Sequence, residues 1–185
     1  MRIISGNFKG KKISLPYDKS TRPLRDLVKE SLFNIIQHNS NQKFNLVGSN
    51  ILDLFSGSGS FGLECFSRGA QKVIFIENYK KTIPILKKNI KSLNGEKNCK
   101  IIEENCFNYL RNNNKNEKFQ IIFIDPPFKE KNINILIDLI KEQKFLGENG
   151  IIIIHRHKSD NTEIPNNLKI LENRSYGISK IIIAN

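Results

Sequence analysis

The chain has 185 residues, 38% hydrophobic and 26% charged, a balance that fits one globular domain large enough to bury its own core. Thirty Lys and Arg against 18 Asp and Glu leave a net charge of +12, which suits a polyanionic partner such as nucleic acid. No apolar run approaches the roughly 20 residues of a membrane helix, residues 1–6 hold no apolar signal segment, and Cys65, Cys99 and Cys106 are too few and too irregularly spaced for a disulfide frame or a zinc knuckle.

In chain order, residues 2–5 and 11–15 alternate weakly about Gly6-Asn7-Phe8-Lys9-Gly10 and predict a small hairpin. Pro23 then opens a helix with Leu24, Leu27, Val28, Leu32, Ile35 and Ile36 on its seam, leaving Arg25, Lys29 and Glu30 for solvent. Residues 38–49 read as a polar linker. The first 49 residues thus form a basic extension ahead of a core at 50–185. Within residues 1–50, nine basic side chains face three acidic ones, half of the whole surplus.

From residue 50 the pattern alternates. Strands are expected at 51–55, 73–77, 100–103, 120–124 and 151–155, with helices at 61–68, from Ile83 to Leu93, at 107–111 and at 133–140. Pro84 fits its helix only in the first turn, where backbone N–H groups lack partners. Residues 168–176 and 179–184 close the chain as an antiparallel hairpin about Gly177. The fold class is therefore α/β: a Rossmann-like, mostly parallel sheet with an antiparallel C-terminal hairpin and a small N-terminal hairpin-plus-helix extension. Right-handed crossovers would bring the C-terminal ends of the parallel strands to one ligand-binding edge.

The unusual residues fall at those ends. Asp53-Leu54-Phe55-Ser56-Gly57-Ser58-Gly59-Ser60-Phe61-Gly62 has the G-x-G-x-x-G spacing, and Glu77 follows Gly57 by 20 residues, where a carboxylate can hold ribose hydroxyls. This much is common to nicotinamide and S-adenosylmethionine sites. Asp53 tilts the choice, because a carboxylate before the turn repels pyrophosphate and attracts an ammonium or a sulfonium.

Residues 121–124 run straight into Asp125-Pro126-Pro127-Phe128. Two prolines cannot continue a buried ladder, but the element suits methylation of an exocyclic amine, whose lone pair is delocalised into the ring. The Asp125 carboxylate and the Pro126 carbonyl can accept its two N–H groups, with Pro127 stiffening the turn and Phe128 offering a stacking surface. His155-Arg156-His157 reads as a solvated strand end or an RNA contact. The lysines at 80, 81, 87, 88 and 91 read as a solvated helix face.

Together with Arg2-Ile3-Ile4-Ser5-Gly6, Lys9-Gly10-Lys11, Arg22-Pro23 and residues 28–34, these motifs resemble the RsmD family across nearly the whole chain. Its members are bacterial class I S-adenosylmethionine-dependent methyltransferases acting on a guanine N2 of 16S ribosomal RNA. The resemblance implies S-adenosyl-L-methionine held by Asp53, Phe55, Gly57, Gly59, Glu77, Asn105 and Cys106, with the guanine gripped by Asp125, Pro126, Pro127 and Phe128. Lys9, Lys11, Lys12, Arg22 and Arg25 would hold RNA phosphates. His155 departs from the pattern, standing where members commonly place an acid. The expectation is a cytoplasmic, metal-free monomer whose partner is 16S ribosomal RNA or the assembling small subunit. A DNA adenine or cytosine amino-methylase, a silent RNA-binding module and a nicotinamide-linked reductase are the alternatives.

Overall fold

In the computed structural model, residues 1–16, 24, 26–38, 45–113, 117–162, 164–165 and 168–185 are described. Helix α1 (Asp26–His38) precedes an alternating series: β1 (Asn50–Leu54), α2 (Ser60–Ser67), β2 (Lys72–Ile76), α3 (Ile83–Ser92), β3 (Cys99–Ile102), α4 (Cys106–Asn112), β4 (Phe119–Ile124), α5 (Ile133–Glu142) and β5 (Leu146–His157). The chain closes with β6 (Ile170–Tyr176) and β7 (Ser179–Ala184). The sheet runs β3-β2-β1-β4-β5-β7-β6. Strands β1 to β5 are parallel, and β7 lies antiparallel between β5 and β6.

Two-residue periodicity sends alternate strand side chains to two cores. On one face Phe75, Phe123, Ile153 and Ile183 meet Leu32 and Phe33 of α1, Phe61 of α2 and Leu86 of α3. On the other, Ile76, Ile124, Ile154 and Ile182 meet Tyr109 and Leu110 of α4 and Leu136 and Ile137 of α5. Stacked rings join Phe33 to Phe61 (5.4 Å) and Phe61 to Phe123 (4.0 Å), so α1 is keyed through α2 to the sheet. Pro84 does sit in the first turn of α3.

The N-terminal hairpin is minimal: one bridge between Arg2 and Lys12, with Ile3 N–H donating to the Lys11 carbonyl (2.9 Å). It is fastened by a charge cluster that the sequence pattern misplaces. Lys29, expected at solvent, is fully buried, 3.4 Å from a Glu64 carboxylate that also accepts the backbone N–H groups of Ile4 (2.8 Å) and Ser5 (3.0 Å). Arg68 donates to the same carboxylate at 2.9 Å. Leu27, expected on the apolar seam, is 71% exposed, and Phe33 takes a core position instead. Helix α1 is rotated so that its long cation reaches inward to the acid on α2.

Candidate active site

The strand order reverses at the β1–β4 boundary, with β2 and β3 on one side and β4 and β5 on the other, which opens a crevice above their C-terminal ends. Register sets what stands there. Leu54 is level with Ile76 and Ile124, and Ile124 with Ile154. Glu77, Phe55 and Asp125 therefore leave three neighbouring strands side by side, and His155 stands beside Asp125 on β5, which continues to His157.

The loop between β1 and α2 turns sharply, with Phe55 itself at φ +59°. Gly57 takes φ +54°, and a side chain there would project into open space, so bare backbone lines the crevice. Gly62 serves packing instead, since a Cβ would lie 2.4 Å from the Phe75 ring. Asp53, at the end of β1, accepts the Gly62 N–H at 3.0 Å and so caps α2 from outside, where its own N-cap residue, Gly59, offers no side chain. Glu77 braces the loop from the other side, accepting N–H groups from Gly57 (2.7 Å), Asn78 (2.9 Å) and Tyr79 (2.7 Å).

Asp53 is 1% exposed and Glu77 7%. Burial pushes the Asp53 carboxyl well above its usual pKa; the Gly62 hydrogen bond opposes this, and the charges of Asp125 and Glu77 add to it. Asp53 and Glu77 thus crowd the glycine loop, and Asp125 is near enough across the crevice for its charge to act on Asp53. A ligand carrying an ammonium and a sulfonium would relieve that repulsion, and the open backbone at Gly57 leaves room for it. On this test the residues fit S-adenosylmethionine.

Asp125 stands at the far side of the crevice. Its Oδ1 lies 2.8 Å from His155 Nδ1, and His155 Nε2 lies 3.0 Å from Ser179 Oγ on β7. Burial disfavours the charged imidazole, but the charge and hydrogen bond of Asp125 outweigh it and raise the His155 pKa above 6.5. Arg156, 6% exposed, donates to the carbonyls of Glu130 (2.9 Å) and Pro127 (3.4 Å) and pairs with buried Asp160. Burial of Asp160 favours its neutral form, but hydrogen bonds from Thr162 and the Arg156 guanidinium prevail and hold its pKa below the usual carboxylate range. His155 and Arg156 are thus internal braces, not the solvated strand end that their sequence suggests. Pro126 is buried, while Phe128 is 60% exposed, with the His157 ring edge-on at 5.8 Å and Lys131 Nζ 5.1 Å from its centre.

Asn105 and Cys106 follow β3 as expected. The Asn105 amide oxygen is used as the N-cap of α4, accepting from Phe107 (2.9 Å) and Asn108 (3.4 Å), so its amide NH₂ is the group left for a ligand. Cys106 is buried, which pushes its thiol pKa up to about 12 and leaves it an apolar wall. Lys9, Lys11 and Lys12 are exposed. The turn holding Lys9 docks on the far end of α2, where the Asn7 N–H reaches the Ser67 carbonyl (2.7 Å). That turn therefore lies at the end of α2 remote from the glycine loop. Arg22 and Arg25 lie outside the described residues.

Sequence reasoning misses Asn89, which donates to the carbonyls of Ser58 (2.9 Å) and Ser14 (3.0 Å) and so ties the glycine loop to the N-terminal hairpin. Its one signal is a polar residue on the otherwise apolar seam of α3. A groove of about 1080 Å³ lies elsewhere, at the opposite ends of β1 to β3, lined by Lys72, Lys91, Lys97 and Lys100 among others.

The family model described as Conserved hypothetical protein 95 matches residues 1–185. The Ribosomal RNA small subunit methyltransferase D of Buchnera aphidicola subsp. Acyrthosiphon pisum is 38% identical over 165 residues, covering 89% of this chain and 82% of its own. Its counterpart in Haemophilus influenzae is 33% identical over 179 residues, covering 96% and 90%. Among solved structures, the Escherichia coli protein yhhF superposes with a TM-score of 0.82 at 26% identity, covering 100% of this chain and 96% of its own.

Proposed function

The chain belongs to the RsmD family, and from that membership we infer that it is an S-adenosylmethionine-dependent methyltransferase of small-subunit ribosomal RNA. We propose further that the methyl group goes to the exocyclic N2 of a guanine. The observation that carries this reading is the single crevice edge shared by the Asp53–Glu77 glycine loop and the Asp125-Pro126-Pro127-Phe128 turn. An adenosyl site and an amine-gripping site then face the same space.

When bound, S-adenosylmethionine supplies a methyl group made electrophilic by its sulfonium. Asp53 and Glu77 would hold its cationic and ribose ends, with Gly57 and Gly59 giving backbone access. Phe55, the Asn105 NH₂ and Cys106 would flank the adenosine. On the other side, Phe128 gives the guanine ring an exposed face to stack on. Asp125 Oδ2 and the Pro126 carbonyl accept the two N–H groups of N2 and aim its lone pair into the crevice. As N2 gains its methyl group it must lose a proton, which Asp125 Oδ2 takes and returns to water. Arg156 keeps this turn in place by holding the Pro127 and Glu130 carbonyls. The contribution is positioning and charge alignment.

We further propose that residues 50–185 form the methyltransferase core and that residues 1–49 are an extension that grips RNA phosphates through Lys9, Lys11, Lys12, Arg22 and Arg25. The protein would act in the bacterial cytoplasm as a monomer on the assembling subunit, where RNA shape and bound ribosomal proteins complete recognition. The test is Asp125→Ala. Methyl transfer to small-subunit RNA should be abolished, while S-adenosylhomocysteine still binds by calorimetry. Retained turnover would reject the role of Asp125, and methyl incorporation into DNA instead of RNA would favour the amino-methylase alternative.

A further inference from the structure

The pairing of His155 with Asp125 reaches beyond that assignment while resting on it. An amine-gripping carboxylate must present one oxygen to the substrate and hold its plane still. In this chain the other oxygen, Oδ1, is taken by His155 Nδ1 at 2.8 Å, and the opposite ring nitrogen is fixed by Ser179 Oγ at 3.0 Å. Among the described residues, Oδ2 of Asp125 has no hydrogen-bond partner. Because an ionised carboxylate only accepts, Nδ1 carries the proton that joins the pair, and the Ser179 hydroxyl donates to Nε2 when the ring is neutral.

We propose that His155, set by Ser179, is the positioning residue of the reaction: it clamps Asp125 by one oxygen, turns the other toward the guanine amine, and sets by its own charge how readily that oxygen accepts a proton. With a neutral ring, the pair carries one negative charge and can take the proton that N2 releases as its new N–C bond forms. With the ring protonated the pair is already neutral, and accepting another proton would leave a net positive charge in the crevice. The charged groups acting on the ring are Asp125, just past the end of β4, which favours the imidazolium, and Arg156 on its own strand, which opposes it; β7 contributes the uncharged Ser179. Turnover should therefore rise with pH through the His155 titration, at a pH above 6.5.

The experiment joins an NMR titration of the His155 ring in the intact protein with pH profiles of kcat for wild type, His155→Ala, His155→Asn and Ser179→Ala. His155→Ala should lower kcat by roughly 10- to 100-fold, the range for a hydrogen bond to a charged group, with little change in KM. His155→Asn, whose amide N–H can replace Nδ1–H without titrating, should recover part of that loss and flatten the rise with pH. Ser179→Ala should move the NMR pKa and the kinetic pKa together. A His155→Asn profile that keeps the wild-type rise, or a His155→Ala enzyme within twofold of wild type, would overturn the proposal. An active Asp125→Ala enzyme would instead overturn the functional reading beneath it.

Discussion

At the scale of single residues, the site is governed by charge held where water is scarce. Asp53 is buried, and its neighbours Asp125 and Glu77 make ionisation harder still. A carboxyl whose folded pKa is raised stabilises the fold only when protonated, so that contribution fades as pH climbs from the ordinary value of 3.8 through the raised one. Asp53→Asn keeps an acceptor for the Gly62 N–H and removes the charge. The ligand-free variant should thus melt higher than wild type at neutral pH. S-adenosylhomocysteine at 100 times its Kd should add about 2.7 kcal/mol to the wild type, roughly 5–10 °C in Tm for a chain of this size. Little of that gain should appear in the variant. An equal ligand-induced shift in both proteins, read by scanning calorimetry, would remove Asp53 from the cofactor site.

At the scale of elements, ions make the joins. Glu64 of α2 satisfies Lys29 of α1, Arg68, and the Ile4 and Ser5 N–H groups of the hairpin, four partners on one buried carboxylate. Burial pulls the Lys29 pKa below the usual lysine value while Glu64 pulls it back up, so the cation depends on its partner. Replacing Glu64 with Leu would strand that cation and two backbone donors, at a cost of about 3–5 kcal/mol. Urea unfolding should register this as a lower midpoint, with the N-terminal hairpin losing amide protection first. An unchanged midpoint would mean that apolar packing of α1 alone holds the extension. Asn89 carries the same coupling to the glycine loop, so the hairpin and that loop are mechanically joined.

At the scale of the molecule, the excess of 12 positive charges works alongside a crevice lined with acids. The two do not conflict: carboxylates at the bottom suit a cationic cofactor, while exposed lysines such as Lys11, Lys12 and Lys131 suit phosphates. If about four phosphates of single-stranded RNA are neutralised, affinity should fall roughly 50-fold between 50 and 200 mM salt. Filter binding with small-subunit RNA measures the slope, and a flat line would exclude phosphate contacts as the source of affinity.

The alternation of strands and helices, the glycine turn, the paired prolines and the exposed Phe128 are all legible in the amino-acid order, because each depends on local periodicity or on backbone rules within a few residues. Asp53 and Asp125 stand at strand ends, where the parallel arrangement brings such residues to one edge. Lys29, His155 and Arg156 were not legible. A lysine on a helix and a basic strand end look solvated until the folded chain places their counter-charges: Glu64 and Asp125 come from distant segments, and Asp160, four residues after Arg156, is turned back onto it. Sequence alone determined which chemistry the chain carries, since that lies in residue types at short spacing. Only the tertiary structure decided which charges are buried together, since burial and pairing energies depend on neighbours distant along the chain.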